Sequence, residues 1–218
     1  MIQSWIRKDF PYRPGAGRTG DRFGLRKDCI GSPFHTGDDR AALPRAIVMP
    51  FDGTMIWEHC GGDWGSILRL IPDDNTTTEI QVAHTECKDK KLEPLNYWIR
   101  QGEPLPVVSG GLGFGTGIHT HTEWLIRYTD ENYKFFAKSG IWLRDKQSLN
   151  SAYIHEHCTR HGLDEASFIT RFIAQCKTWG IIEANTTFCV RGSVPRYKTP
   201  AWGNGAVIIA DPMLYLDI

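Results

Sequence analysis

"GFGTGIHTHTEWLIRY", residues 113 to 128, joins a glycine-rich run to a stretch in which His119, His121 and Glu123 recur at every second position. A period of two belongs to a β-strand, whose successive side chains point to opposite faces, so these three groups share one face of a sheet. The strand is expected from Ile118 to Tyr128, and a metal ion beside that face could touch one or both imidazoles. A His-x-His pair alone is only modestly specific, since strand histidines more often sit at a surface or are hydrogen-bonded in a core.

The next signal lies far upstream. In "FHTGDDRA", residues 34 to 41, His35 and Asp39 stand four apart around Gly37, in a stretch without helical periodicity. If the glycine lets the backbone bend sharply, an imidazole and a carboxylate can turn to the same point. With His121 added, the set is two imidazoles and one carboxylate, which suits zinc with a fourth position open. An open position goes with catalysis rather than scaffolding. Asp38 offers a second carboxylate at the same place. Glu123 acts either behind a ligand or as a structural group holding a neighbouring strand, and strand-end carboxylates are often merely solvated.

The surrounding sequence sets the architecture. From Ala46 to about Tyr128 the pattern is antiparallel β. "AIVMPFDGTMIWE" holds two β-rich runs around Asp52-Gly53, a hairpin-type turn pair, and "SILRLI" and "TTTEIQVAH" read as short strands. "RFGLR", residues 22 to 26, is a short strand or turn within an irregular lead-in. After Thr129 the pattern changes. Helices are expected from about Leu149 to His161 and from about Asp164 to Trp179, closed by Gly162 and Gly180, before a return to short β and loop signals. The fold class is therefore mainly β, an antiparallel sheet domain over residues 1–130, with a C-terminal helical (α+β) appendage over 131–218.

Composition narrows the partners. Twenty-five basic and twenty-five acidic residues cancel, and no basic stripe appears, so neither nucleic acid nor an anionic membrane surface is indicated. No run approaches the roughly 20 apolar residues of a membrane span, and the opening residues lack the apolar core of a signal peptide. Synthesis in the cytoplasm without a signal peptide is expected. The six cysteines, Cys29, Cys60, Cys87, Cys158, Cys176 and Cys189, lack paired short spacing and read as reduced thiols. His155, His157 and His161, in "HEHCTRH", read as an ordinary solvated helix face; at most His157 and His161 share a side.

Six elements in order, "RFGLR", "HTGDD", "PFDGTM" (50–55), "GGDWGS" (61–66), "VAHT" (82–85) and "GFGTGIHTHTE" (113–123), resemble the lysostaphin-type zinc endopeptidases that cut peptidoglycan cross-bridges. The resemblance spans about half of the chain. It implies a Zn2+ cofactor held by His35, Asp39 and His121, with His84 and His119 as the catalytic histidines that are not ligands. It selects Asp39 over Asp38. It also implies bacterial peptidoglycan as partner and metal-assisted amide hydrolysis as the reaction. Ser66 stands where asparagine is common and Thr85 where leucine is common, so substrate preference need not transfer.

Without a secretion signal, the expected route to the cell wall is a bacteriophage, either as a free lysin or as a virion component contacting other virion or tail proteins. The alternative is a catalytically inactive module of a virion or tail. An iron(II) oxygenase would share the ligand set, but its His-x-Asp spacing is two and here it is four.

Overall fold

The computed structural model describes residues 22–27, 32–41, 46–73, 77–87, 95–109, 119–137, 143–144, 151–192, 200–203 and 205–212. Most of the lead-in, Cys29, the glycine-rich loop from Gly110 to Gly117 and the expected helix start at Leu149 lie outside these residues.

In chain order the elements are β1 (Gly24–Leu25), β2 (Phe34–His35), β3 (Asp38–Ala41), β4 (Ala46–Val48), β5 (Gly53–Gly61), a 3-10 turn (Gly62–Trp64), β6 (Gly65–Pro72), β7 (Thr78–Ala83), β8 (Thr85–Cys87), β9 (Leu95–Ile99), β10 (Pro104–Ser109) and β11 (His119–Arg127). Then follow α1 (Asp130–Ala137), β12 (Leu143–Arg144), α2 (Ser151–His161), α3 (Glu165–Trp179), β13 (Ile181–Ala184), β14 (Phe188–Arg191) and β15 (Val207–Ala210). The fold is mainly antiparallel β, as expected, with three helices among the described residues.

A ten-stranded sheet runs β12-β13-β14-β15-β11-β7-β6-β5-β9, with β3 also paired to β11. β4, β10 and β8 form a second sheet, and β1 and β2 a small third one. Strand alternation sorts the apolar residues into two cores. On β11, Trp124 and Ile126 join Trp57, Leu68, Ile80 and Val107 on the side of the second sheet. Leu125, between them, joins Phe34, Ile154, Phe168 and Phe172 on the helical side. β15 splits likewise, Ile208 and Ala210 to the first core and Val207 and Ile209 to the second. Full burial of each such side chain contributes about 1.5–3 kcal/mol, so the strands at the centre of the sheet are fixed from both faces.

Both long helices form where their periodicity and caps place them. Asp164 caps α3 by accepting from the Ser167 backbone N–H at 2.9 Å, and Gly180, at φ 63°, ends it in the left-handed conformation that glycine adopts without steric cost. Gly162, also at φ 63°, follows α2. The short α1 was not expected.

Two features of the sheet differ from the sequence reading. The strands flanking Asp52-Gly53 do not form a hairpin with one another: β4 pairs with β10, while β5 pairs with β6 and β9. Gly53 is required by space, because a Cβ there would stand 2.2 Å from the Ile71 carbonyl oxygen. The Asp52 side chain accepts from the Gln101 N–H at 2.8 Å, and its carbonyl from Asp73 at 3.1 Å. These bonds lead the chain from one sheet to the other.

The second feature concerns the boundary near residue 130. The main sheet runs across it, since β15 pairs with β11 from Trp124↔Ala210 to Arg127↔Val207 and carries β14 and β13 beyond it. The segment expected as an appendage thus supplies four strands of the sheet that carries β11.

Candidate metal centre

Register brings the first two donors together. β3 and β11 pair so that Asp39 lies directly opposite His121. Alternation sends Asp38 to the other face, where it is buried opposite Thr122, so the choice of Asp39 follows from strand geometry. β2 delivers His35 from the same loop. The result is one cluster in which His121 Nδ1 lies 2.9 Å from both His35 Nε2 and Asp39 Oδ1, and His35 Nε2 lies 3.2 Å from Asp39 Oδ1.

The outer nitrogen of each ring has its own partner. His35 Nδ1 donates to the Arg22 carbonyl at 3.0 Å, and His121 Nε2 lies 3.0 Å from Glu123 Oε1. A carbonyl or carboxylate only accepts, so each of those outer nitrogens carries the proton. In the neutral rings the inner nitrogens then turn lone pairs toward one another and toward Asp39. Three electron-rich atoms facing each other within about 3 Å repel unless a cation lies among them, and two imidazoles with a carboxylate are the donors zinc takes. The residues present therefore fit the metal. His35, Asp39 and His121 form the only such group of three or more His, Cys, Asp or Glu among the described residues.

Electrostatics follow from this crowding. Burial lowers the His35 pKa, with the Asp39 hydrogen bond opposing it and the neighbouring His121 adding to it. Burial also disfavours the His121 cation, but hydrogen bonds to Asp39 and Glu123 outweigh it and raise the pKa. Burial resists ionisation of Asp39 too, yet its hydrogen bonding with the protonated forms of His121 and His35 holds that carboxyl well below the usual carboxylate range. Arg26 Nη2, 3.6 Å from Asp39 Oδ2, adds a further positive charge.

Gly37 does more than bend the loop. Its φ is not in the left-handed region, so the conformation suits any residue. A Cβ there would stand 2.4 Å from the Thr122 carbonyl oxygen and 2.7 Å from the His121 ring. The glycine is needed because the His121 ring occupies the space a side chain would take, which corrects the bend expected from sequence.

His84 and His119 lie beside the three donors. Their ring centroids are 4.5 Å apart, and the His84 ring is 6.5 Å from that of His121. His84 links β7 to β8 at φ 58°, the only non-glycine residue at positive φ among the described residues. A left-handed conformation at a residue with a Cβ costs roughly 1–2 kcal/mol, and such strain clusters at functional sites. The His84 N–H donates to the Trp64 carbonyl at 3.3 Å, and the Trp64 ring meets His121 edge-on at 5.1 Å. The 3-10 turn thus supports both rings.

Glu123 is not solvated. It is fully buried, accepts from the Thr36 hydroxyl as well as meeting His121, and lies 4.0 Å from Arg191 Nη2. Behind His35, the buried Gln175 side chain of α3 treats Phe34 as a strand neighbour would. Its Oε1 accepts from the Phe34 N–H at 2.8 Å and its Nε2 donates to the Phe34 carbonyl at 2.6 Å. Thr36, Trp64, Gln175 and Arg191 were not read from sequence. The one legible sign was Gln175, an amide in the apolar stripe of Phe168, Phe172 and Cys176.

The second histidine cluster is not simply a solvated face, since His157 is half-buried with its ring 5.4 Å from that of Phe168. His157 Nε2 donates to the Arg26 carbonyl at 3.1 Å, and His155 Nδ1 lies 2.8 Å from Glu165. Ser66 and Thr85, the departures from the family pattern, are both buried: Ser66 Oγ lies 3.3 Å from His59 Nδ1, and Thr85 Oγ1 accepts from Trp57 Nε1 at 3.0 Å. Among the described residues, Cys60, Cys87, Cys158, Cys176 and Cys189 are not joined in disulfides. No helix among the described residues is long and apolar enough to cross a membrane.

No protein-family model matches the chain, and no curated protein matches it in sequence. Solved structures do resemble it. The catalytic domain of lysostaphin from Staphylococcus simulans is 17% identical, with 56% of this chain and 93% of that one covered at a TM-score of 0.43. A zinc containing peptidase from Vibrio cholerae is 19% identical, covering 56% of this chain and 37% of the other, at 0.45. The catalytic domain of a variant of the prophage-encoded protein EnpA from Enterococcus faecalis is 20% identical, covering 53% and 85%, at 0.42. At these levels the likeness concerns the fold, over little more than half of the chain.

Proposed function

We propose that this protein is a zinc-dependent endopeptidase that hydrolyses peptide cross-bridges of bacterial peptidoglycan. The observation that carries the reading is the meeting of His35 Nε2, Asp39 Oδ1 and His121 Nδ1, with outer hydrogen bonds that turn both imidazole lone pairs inward. Zn2+ held there would supply Lewis acidity, activating a water and polarising the scissile carbonyl.

The chain's own groups do the rest. Arg22 and Glu123 fix the tautomers of the two imidazole ligands, so each presents a lone pair without rearrangement. His84 and His119, in tilted ring contact beside the ligands, take up and return a proton at a ring nitrogen and stabilise negative charge on the carbonyl oxygen of the substrate. The strained backbone at His84 sets its ring toward the ligands rather than along the strand face. No covalent intermediate with the enzyme is required.

Delivery by a phage, as a free lysin or as a virion component, completes the proposal. The test is to incubate the purified protein with cell walls of differing cross-bridge chemistry, with and without a chelator, beside a His121→Ala variant. Soluble wall peptides released only by the untreated wild type support the reading. Equal release in every tube removes the metal from the reaction, and release in none favours an inactive module of a virion or tail.

A further inference from the structure

The clearest route into the site from outside the sequence motifs begins at Arg191, at the end of β14. Its guanidinium is 2% exposed and sits 5.4 Å from the centroid of the Trp179 ring, at the end of α3. From there Nη2 reaches Thr36 Oγ1 at 3.4 Å and Glu123 Oε1 at 4.0 Å. Thr36 lies inside the His35–Asp39 loop, and Glu123 is the partner of His121 Nε2.

The direction of each proton follows from the donors available. An arginine only donates, so the Thr36 oxygen accepts from Arg191 and turns its own proton to Glu123. Glu123 Oε1 thereby meets Thr36, His121 Nε2 and Arg191 at once. A carboxylate held from three sides cannot swing away from the imidazole, and the imidazole cannot rotate its Nδ1 away from the metal position. Trp179 restrains the guanidinium on its far side through a cation–π contact.

We infer that Arg191 is a positioning residue for the metal ligand His121, acting through Thr36 and Glu123, so that residues 179–191 are part of the metal centre. This rests on the reading of His35, Asp39 and His121 as metal ligands. It adds that this ligand set depends on a residue 70 positions beyond it in the chain, supplied by the segment that the sequence reading set apart as an appendage.

The test measures Zn2+ affinity by competition with a chromophoric chelator, together with thermal unfolding of the metal-free protein. Wild type, His121→Ala, Arg191→Met, Arg191→Lys, Glu123→Gln and the Arg191→Met/Glu123→Gln double variant are compared. Outer partners of metal ligands are worth 10–100-fold in affinity, so Arg191→Met is expected to bind at least about tenfold more weakly, with Arg191→Lys between it and wild type. Because Arg191 acts through Glu123, the double variant is expected to bind no more weakly than Glu123→Gln alone.

An Arg191→Met variant that binds zinc within about twofold of wild type overturns the inference and leaves the metal reading intact. If Arg191→Met does not fold, the double variant, which removes both buried charges, decides: a further loss of affinity relative to Glu123→Gln overturns the inference. A wild type that binds no zinc, or binds it as well as His121→Ala does, overturns both.

Discussion

The Nε2 atom of His35 lies 2.9 Å from the Nδ1 atom of His121, although 86 positions separate the two residues. Both nitrogens face inward because Arg22 and Glu123 occupy the outer ones. A centre organised in this way has consequences for stability as well as for chemistry.

Gly37→Ala separates two accounts of the glycine. A bend alone would tolerate alanine, since φ at Gly37 is not left-handed. The steric account expects a clash with the Thr122 carbonyl and the His121 ring, costing about 1–3 kcal/mol in denaturant unfolding and weakening zinc binding. Unchanged stability and affinity would remove the steric reason for glycine there.

His84 carries backbone strain at φ 58°. His84→Gly and His84→Ala both lose the ring, and both are expected to lose wall-hydrolysing activity. Only glycine relieves the strain, so His84→Gly is expected to be about 1 kcal/mol more stable than His84→Ala. Equal midpoints in urea would show that the backbone is not strained in solution.

Gln175→Met tests how far α3 supports the site. The substitution keeps the volume but orphans the N–H and the carbonyl of Phe34, next to His35. Each buried unsatisfied group costs about 1–3 kcal/mol, so a clear drop in unfolding free energy and weaker zinc binding are expected. Wild-type stability would mean that Phe34 finds other partners.

The metal-free protein is expected to be least stable at both ends of the pH scale. The raised pKa of His121 gives stability that is complete below its ordinary value of 6.5 and is lost as pH rises through the folded value. The lowered pKa of Asp39 gives stability that is present above its ordinary 3.8 and is lost on acidification. The lowered pKa of His35 works in the same sense as Asp39, since its folded-state burial resists protonation below 6.5. Zinc bound by the proposed ligands would replace the proton on His121, so thermal melts with and without zinc should diverge most on the alkaline side. A gap that is constant with pH would contradict the shift at His121.

The three residues proposed as ligands were legible as candidates because their spacing obeys local rules. The two-residue period of "HTHTE" fixed a shared face, and "HTGDD" concentrated an imidazole and a carboxylate in one loop. The caps of α3 were legible for the same reason, since Asp164 and Gly180 act within one turn of the helix.

What stayed hidden is long-range. Nothing local to Val207–Ala210 shows that β15 continues the edge of β11 beside which Asp39 lies, because the pairing joins strands about 80 residues apart. Arg191 reads as one charge at the end of an apolar strand, and its meaning comes only from Thr36 and Glu123 across the sheet. The Asp52-Gly53 pair shows the converse failure. Its turn chemistry was read correctly as a break between strands, but the strands on either side take partners in different sheets.

The most direct test of the central claim is the zinc content and affinity of the purified protein beside His35→Ala, Asp39→Ala and His121→Ala, measured by equilibrium dialysis and elemental analysis. The account predicts one tightly held zinc per wild-type chain, with affinity reduced at least a hundredfold in each variant, consistent with losing one of three protein ligands. A wild type that retains no zinc, or three variants that retain it as the wild type does, would contradict it.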